Sequence, residues 1–137
     1  SGTTLDASII KKADSLSVIG RAGVGIDNVD IPAATRKGIV VMNTPDANTI
    51  SAAEHTLALI LSLSRNISIG HHSLLAGEWD RHKFVGSEIR NKTLGIVGLG
   101  KIGREVMQRA QGFGMKIIGY DPFIKEDMFR TDEIKLI

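Results

Sequence analysis

Three glycines at a fixed spacing, Gly98, Gly100 and Gly103, constrain the fold of this chain more than any other feature. They follow an apolar run of strand length, 94–97, and precede a segment of helical composition, 104–110. At such a junction the first glycine permits a tight turn, the second lets a pyrophosphate approach the backbone, and the third lets the helix pack closely on the strand. Because the first helical turn would direct free N–H groups at the phosphates, the spacing predicts a dinucleotide-binding turn.

The residues that follow strengthen this prediction. Gly112 and Gly114 predict the end of the helix, and 115–120 has the apolar character of a second strand. Asp121 closes that strand roughly 20 residues after the last glycine of the turn, where a carboxylate can accept hydrogen bonds from an adenosine ribose. We interpret the whole as a strand–helix–strand unit that binds a dinucleotide. A purely structural glycine-rich turn is the alternative.

Composition excludes several classes of function. A chain of 137 residues with 42% hydrophobic content can form a core. The net charge of +2 and the 4% aromatic content provide no basic face with stacking rings, so nucleic acid is not an expected partner. The lack of cysteine excludes disulfides and is compatible with the cytosol. No run is long and apolar enough to predict a membrane span.

The first 45 residues contain short elements separated by glycine turns. The predicted elements are a helix over 5–13 with Asp6 as its N-cap, a strand over 16–19, a helix over 30–37 and a strand over 39–42. The break at 43–46 contains a proline and predicts a boundary between two domains.

The longest helical pattern covers 48–65. A capping-box pattern begins at Ser51, although the start of the run is an alternative N-terminus. Apolar residues lie on most sides of this helix, so we expect it to be buried against more than one partner. The pattern over 71–90 is irregular, with Trp79 as a packing anchor, either internal or at a subunit interface. A polar stretch after Pro122 leads to a further strand at 134–137.

A second glycine turn, 20–28, holds the other candidate binding residues. Gly23 and Gly25 can expose backbone N–H groups as an anion-binding nest. Arg21 adds a positive charge that can bind a carboxylate or phosphate through two hydrogen bonds. An ordinary strand-to-helix turn with a surface arginine is an equally open interpretation.

The four histidines do not predict a metal site. None forms an H-E-x-x-H pair, and the adjacent His71 and His72 would point to different sides of a helix. His55 is a candidate general base, but a polar residue near a helix start more often packs or caps. We therefore predict no metal.

Taken in order, these motifs resemble those of the D-isomer-specific 2-hydroxyacid dehydrogenases. The resemblance rests on Gly20–Asp30, Ala33–Gly38, Asn43–Pro45, Asn48–Glu54, Gly77–Trp79, Gly98–Glu105 and Gly119–Pro122. It implies an α/β fold with a Rossmann-type parallel sheet. Residues 46–137 would form the first βαβ half of an NAD-binding domain, and residues 1–45 part of a smaller α/β substrate-binding domain.

The resemblance also implies a reaction, the NAD-linked oxidation of a small anionic 2-hydroxy acid, with 3-phosphoglycerate as the favoured substrate. The alternatives are a dehydrogenase for glyoxylate, hydroxypyruvate or another 2-hydroxy acid, and a non-catalytic NAD-sensing module similar to a corepressor. The implied substrate-binding residues are Arg21, Gly23, Val24 and Gly25, with Val24 also close to the nicotinamide. The implied cofactor-binding residues are Gly98, Gly100, Lys101, Ile102, Gly103, Asp121 and Pro122.

The catalytic residues of the family lie beyond this sequence. The resemblance places a catalytic arginine, an acid and a histidine after Ile137, so we assign no catalytic residue and expect the 137-residue chain to be inactive alone. It further implies a cytoplasmic homodimer or higher homo-oligomer that is joined through the helix over 48–65 and the Trp79 segment.

Overall fold

The computed structural model describes residues 2–124 and 134–137. The chain divides into two compact units, 1–48 and 49–137. Each unit combines helices with parallel strands, so the predicted α/β class is confirmed. The roles of the two units as substrate-binding and NAD-binding domains stay predictions. The polar stretch expected after Pro122 falls on 125–133, outside the described residues.

The first unit contains two helices and two strands in alternation. They are α1 (Ala7–Lys12), β1 (Val18–Gly20), α2 (Ile31–Arg36) and β2 (Val40–Met42). The strands pair in parallel with Val18 opposite Val40. A cluster of buried apolar residues packs the helices on this sheet, namely Ile10, Ile19, Val29, Ala33, Ala34 and Ile39. The second glycine turn leaves the carboxyl end of β1, which is where parallel α/β sheets place ligands.

Aspartate side chains start both helices of the first unit. The Asp6 carboxylate accepts hydrogen bonds from the N–H groups of Ser8 at 2.8 Å and Ile9 at 3.0 Å, which confirms the predicted N-cap. The Ser8 hydroxyl donates to the same carboxylate and is the main cause of the lowered pKa of Asp6. Asp30 accepts a hydrogen bond from the Ala33 N–H at 2.9 Å. Both caps satisfy donors that a first helical turn leaves unpaired.

The second unit contains the predicted strand–helix–strand segment. Its elements are α3 (Thr49–Ser64), α4 (Ile67–Leu75), a 3₁₀ turn (Arg81–Phe84), β3 (Thr93–Val97), α5 (Lys101–Gly112), β4 (Lys116–Tyr120) and β5 (Lys135–Leu136). The three strands form a parallel sheet in the order β3-β4-β5. The unit β3–α5–β4 and the strand after it therefore confirm the sequence prediction.

The core of the second unit lies between the sheet, α3 and α5. Its buried members are Ala53, Leu57, Leu99, Val106, Met107, Ala110, Ile117 and Ile134. Leu99 belongs to the glycine turn and not to a helix or strand, so the turn itself is anchored in the core.

The long helix begins at Thr49, which confirms the alternative start at Asn48 or Thr49. Ser51 lies inside the helix, so the prediction that Ser51 starts a capping box is wrong. The buried residues of α3 are Ala53 and Leu57, whereas the side chains of Leu59 and Leu63 are 52% and 79% exposed. Helix α3 packs against both α5 and α4, which confirms burial against more than one partner, while Leu59 and Leu63 leave part of its surface exposed.

The segment 71–90 is more regular than predicted. Helix α4 extends to Leu75 and a 3₁₀ turn covers 81–84, so the irregular interpretation is wrong for both stretches. The Trp79 residue is 80% exposed, which excludes an internal packing anchor and leaves the interface alternative as a prediction.

Candidate functional site

The glycine turn (residues 98–103) has the local geometry that its spacing predicts. Gly98 has a φ of +95°, a left-handed conformation that favours glycine. A Cβ at Gly103 would lie 2.1 Å from the Gly98 carbonyl oxygen, so α5 can approach the turn this closely only with glycine there. A Cβ at Gly100 would meet no atom within 4 Å, so open space lies beside this residue. That opening is what the approach of a pyrophosphate requires.

The N-terminus of α5 is suited to an anion. Gly100 is the N-cap in an extended conformation, and no side chain caps the helix. The first bond inside the helix runs from the Arg104 N–H to the Gly100 carbonyl at 3.0 Å. The N–H groups and positive dipole end of the first turn, which begins with Lys101 and Ile102, attract negative charge. The residues present therefore fit a pyrophosphate group.

Asp121 lies at the end of β4, directly against the glycine turn. Its Oδ2 accepts a hydrogen bond from the Leu99 N–H at 2.8 Å, and its Oδ1 accepts one from the Phe123 N–H at 2.9 Å. The Gly98 N–H donates to the Tyr120 carbonyl at 2.8 Å, so the end of β4 is tied to the turn twice. Each carboxylate oxygen retains acceptor capacity for a ribose hydroxyl. The exposed Pro122 follows Asp121 directly.

The second glycine turn is stabilised by its own arginine. Nη1 of Arg21 donates to the Gly25 carbonyl and lies 3.1 Å from Oδ1 of Asp27. The Asp27 carboxylate accepts from its own backbone N–H, and this bond, followed by Arg21, lowers its pKa. The Gly23 N–H donates to the Arg21 carbonyl at 2.9 Å. The turn is therefore folded on itself, and its predicted anion-binding role requires the remaining donors of Arg21.

Val24 is held at the tip of this turn. Its carbonyl accepts a hydrogen bond from Nδ2 of Asn43 at 2.7 Å, and the residue is 39% exposed. Neither Asn43 nor Asp27 was predicted to stabilise this turn. Asp27 could have been found because it lies in the same turn as Arg21, whereas Asn43 lies far from Val24 in sequence and only the fold brings the two together.

Two classes of site are not found in the part of the chain that the structure describes. Across residues 2–124 and 134–137, no three metal-ligating side chains come together. Over the same residues, no helix has the length and apolar character to cross a membrane.

Comparison with known proteins identifies the class. Residues 1–135 match the family described as "D-isomer specific 2-hydroxyacid dehydrogenase, catalytic domain". The chain belongs to the D-isomer specific 2-hydroxyacid dehydrogenase family, which confirms the resemblance found in the sequence and the Rossmann-type fold class.

Individual relatives are similar over nearly the whole chain. The D-3-phosphoglycerate dehydrogenase of Methanocaldococcus jannaschii is 53% identical over 137 residues, which cover 100% of this chain and 26% of that protein. The Homo sapiens protein of the same name is 56% identical over 128 residues, which cover 93% of this chain and 24% of that protein. The chain thus spans about a quarter of the length of these relatives.

A solved structure shows the same fold. The NAD-dependent formate dehydrogenase of Staphylococcus aureus, solved in complex with NAD, matches with a TM-score of 0.86 and 34% identity. The match covers 98% of this chain and 40% of that one.

Proposed function

We propose that this chain belongs to an NAD-dependent enzyme that oxidises D-3-phosphoglycerate to 3-phosphohydroxypyruvate, the first step of serine biosynthesis. The observation that carries the proposal is the glycine turn, where an uncapped α5 N-terminus meets open space at Gly100 beside Asp121. The choice of substrate is supported by 53% and 56% identity to proteins named D-3-phosphoglycerate dehydrogenase.

In this proposal the second unit binds the cofactor. Backbone N–H groups at the start of α5, including those of Lys101 and Ile102, hold the pyrophosphate, and the absence of a side chain at Gly100 admits it. The Asp121 carboxylate accepts hydrogen bonds from the adenosine ribose, and Pro122 lies beside it. NAD bound at this site would supply the hydride acceptor for oxidation of the hydroxyl-bearing carbon of the substrate.

The first unit binds the substrate anion in this proposal. Arg21 already uses Nη1 within its turn, so Nη2 and Nε are the donors left for a carboxylate or phosphate. Gly23, Val24 and Gly25 form the adjoining backbone, and Val24 also contacts the nicotinamide. The Asp27 carboxylate is ionised at neutral pH, and its own backbone N–H and then Arg21 lower its pKa further, so it holds the guanidinium in place as an ion pair.

We also infer that the protein is a cytoplasmic homodimer or higher homo-oligomer. The support is an apolar surface on the second unit, which we call the α3–α4 face and which comprises Leu59, Leu63, Ile67, Leu75 and Trp79. All five are more than half exposed, from 52% at Leu59 to 80% at Trp79. Large apolar side chains exposed on two helices that pack against each other are typical of an interface between subunits.

The test is the cofactor preference of the intact protein. With D-3-phosphoglycerate, we expect kcat/KM to be roughly 100-fold higher with NAD than with NADP, because the Asp121 carboxylate repels a 2′-phosphate. Asp121→Ala should narrow this ratio mainly by weakening NAD binding, as steady-state kinetics and calorimetry would measure. Asp14→Ala, at an exposed surface ion pair of the other unit, is the matched control.

Three results would count against the proposal. Equal kcat/KM with NAD and NADP would mean that Asp121 does not discriminate against the 2′-phosphate of NADP. Faster NADH consumption with glyoxylate or hydroxypyruvate than with 3-phosphohydroxypyruvate, or faster NADH formation from another 2-hydroxy acid than from D-3-phosphoglycerate, would retain a dehydrogenase and change its substrate. Tight NAD binding without turnover of any 2-hydroxy acid would favour the NAD-sensing module.

A further inference from the structure

Leu99, the middle residue of Gly98-Leu99-Gly100, is fixed by three separate interactions. Its side chain is 0% exposed and packs in the core of the second unit. Its N–H donates to Oδ2 of Asp121 at 2.8 Å. Its carbonyl accepts a hydrogen bond from Nε of Arg104 at 2.9 Å. Both backbone polar groups and the side chain of this one residue therefore have assigned partners.

The side chain of Leu99 fits because β4 carries a glycine below it. A Cβ at Gly119 would lie 3.0 Å from Cδ1 of Leu99 and 2.6 Å from Cδ1 of Ile134. A methyl group at this position would push aside the terminal methyl groups of Ile134 and Leu99, so glycine lets both side chains keep the packing they have here. The burial of the leucine thus depends on the sheet, and the turn is attached to the sheet through it.

The two backbone hydrogen bonds fix the orientation of two peptide planes. In a planar trans peptide the C=O and the next N–H point in opposite directions. The bond from the Leu99 N–H to Asp121 sets the plane between Gly98 and Leu99. The bond from Arg104 to the Leu99 carbonyl sets the plane between Leu99 and Gly100, so the Gly100 N–H points away from the arginine.

Arg104 is well placed to hold that carbonyl. It lies in the first turn of α5, and helical side chains extend back toward the N-terminus of their helix. The donor is the single N–H of Nε, so a side chain with one N–H group at that position could make the same hydrogen bond. If the carbonyl were free, rotation of this peptide would turn its oxygen, with partial negative charge, toward an anion at the turn.

We propose that Arg104 is a positioning residue of the dinucleotide site, acting through the Leu99 carbonyl to hold the Leu99–Gly100 peptide in the orientation that binds a pyrophosphate. This inference rests on the proposed function. Asp121 acts on the neighbouring peptide in the same way, so the turn is organised before the dinucleotide arrives. Preorganisation of this kind raises affinity because ordering is not required on binding.

The experiment compares Arg104→Gln with Arg104→Met in the intact protein. Glutamine places an amide N–H at the same number of bonds from Cα as the arginine Nε, whereas methionine has a similar length and no donor. NAD affinity, measured by calorimetry, should fall about tenfold in Arg104→Met, equivalent to about 1.4 kcal/mol. It should stay within about threefold of the wild type in Arg104→Gln.

A second measurement does not depend on the cofactor. Amide hydrogen exchange of the segment 98–101 should be about tenfold faster in Arg104→Met than in wild type without dinucleotide, and unchanged in Arg104→Gln. Arg109→Met is the matched control because Arg109 binds Glu105 within the same helix, away from the turn. It should leave the exchange of 98–101 and the NAD affinity unchanged.

Each outcome decides the inference. Equal loss of affinity in both Arg104 variants, with unchanged exchange, would mean that the arginine acts by its charge and would overturn the proposal. Unchanged affinity and exchange in Arg104→Met would also overturn it. If the wild type binds neither NAD nor NADP, the proposed function fails, and the order of exchange rates still decides whether Arg104 holds the turn.

Discussion

Gly100 and Gly103 lie three residues apart and differ in what a methyl group would meet. A Cβ at Gly100 has no neighbour within 4 Å, and the φ of −67° suits any L-residue. A Cβ at Gly103 would overlap the Gly98 carbonyl oxygen, a backbone atom that cannot move without moving the turn. Gly103 is therefore required by the fold itself, whereas the fold leaves room for a methyl group at Gly100, and only the proposed pyrophosphate would require glycine there.

Alanine at each position should separate these two requirements. Gly100→Ala should leave the melting temperature of the intact protein unchanged and weaken NAD binding at least about tenfold, because the methyl group fills the space of the pyrophosphate. Gly103→Ala should lower the free energy of unfolding by about 3 kcal/mol through overpacking. Calorimetric unfolding and NAD titration measure both effects. Normal NAD affinity in Gly100→Ala would contradict the proposed position of the cofactor.

The residues predicted correctly from the sequence are those whose role depends only on their neighbours along the chain. The spacing of the glycines and the capping residue Asp6 were recognised because a positive φ, a close approach or an N-cap depends on adjacent residues alone. Leu99 and Arg104 were not singled out, since a leucine and an arginine beside a helix start are ordinary in type. Their roles depend on which atoms the fold brings to the Leu99 N–H and carbonyl.

Helix α3 ends against a distant backbone segment. The Ser87 N–H donates to the Ser64 carbonyl, the last of α3, at 2.7 Å, which satisfies one of the acceptors left free at a helix C-terminus. A Cβ at Gly86 would lie 2.3 Å from the same Ser64 oxygen and 2.7 Å from the Cα of Arg65. The segment at Gly86 and Ser87 can therefore pack this closely against the end of α3 only with glycine at position 86.

We expect Gly86→Ala to lower the free energy of unfolding by about 3 kcal/mol, because both neighbours are backbone atoms and cannot rotate away. The matched control is Gly112→Ala in the last residue of α5, where a Cβ would meet nothing within 4 Å. Alanine there should be neutral or stabilising by roughly 0.5–1 kcal/mol. Urea unfolding of both variants measures the difference, and equal stabilities would show that the segment at 86 is not docked as described.

Strands and amphipathic helices are easier to predict from the sequence than helices that contain residues of low helix propensity. For the unit β3–α5–β4, the glycine turn and the apolar runs predicted both strands to within one residue, whereas α5 begins at Lys101, three residues before the predicted helix. Helix α4 was missed since it contains Gly70 and two histidines, which have low helix propensity. The apolar composition of α3 predicts burial against several partners, but composition does not say which of these partners lie within this chain.

The α3–α4 face determines how the whole molecule should behave in solution. If the α3–α4 face joins two copies of the chain, an arginine introduced into this face buries a charge in an apolar contact. The burial weakens the association of the two copies by several kcal/mol. Leu63→Arg should therefore reduce the oligomeric mass, measured by light scattering during gel filtration, to that of a single protomer. The control Ile9→Arg adds the same charge at a partly exposed position of α1, where the residue is 46% exposed. An unchanged mass in Leu63→Arg would place the interface elsewhere.

Leu99 belongs both to the hydrophobic core and to the glycine turn, and this affects which substitutions the protein can accumulate during evolution. A substitution at Gly119 or Ile134 that improves or disturbs the packing of this leucine is transmitted to the backbone that receives the dinucleotide. Stability and cofactor affinity are then not independent traits that selection or an engineer can adjust separately. We therefore expect variants selected for heat tolerance at these positions to change in nucleotide affinity as well.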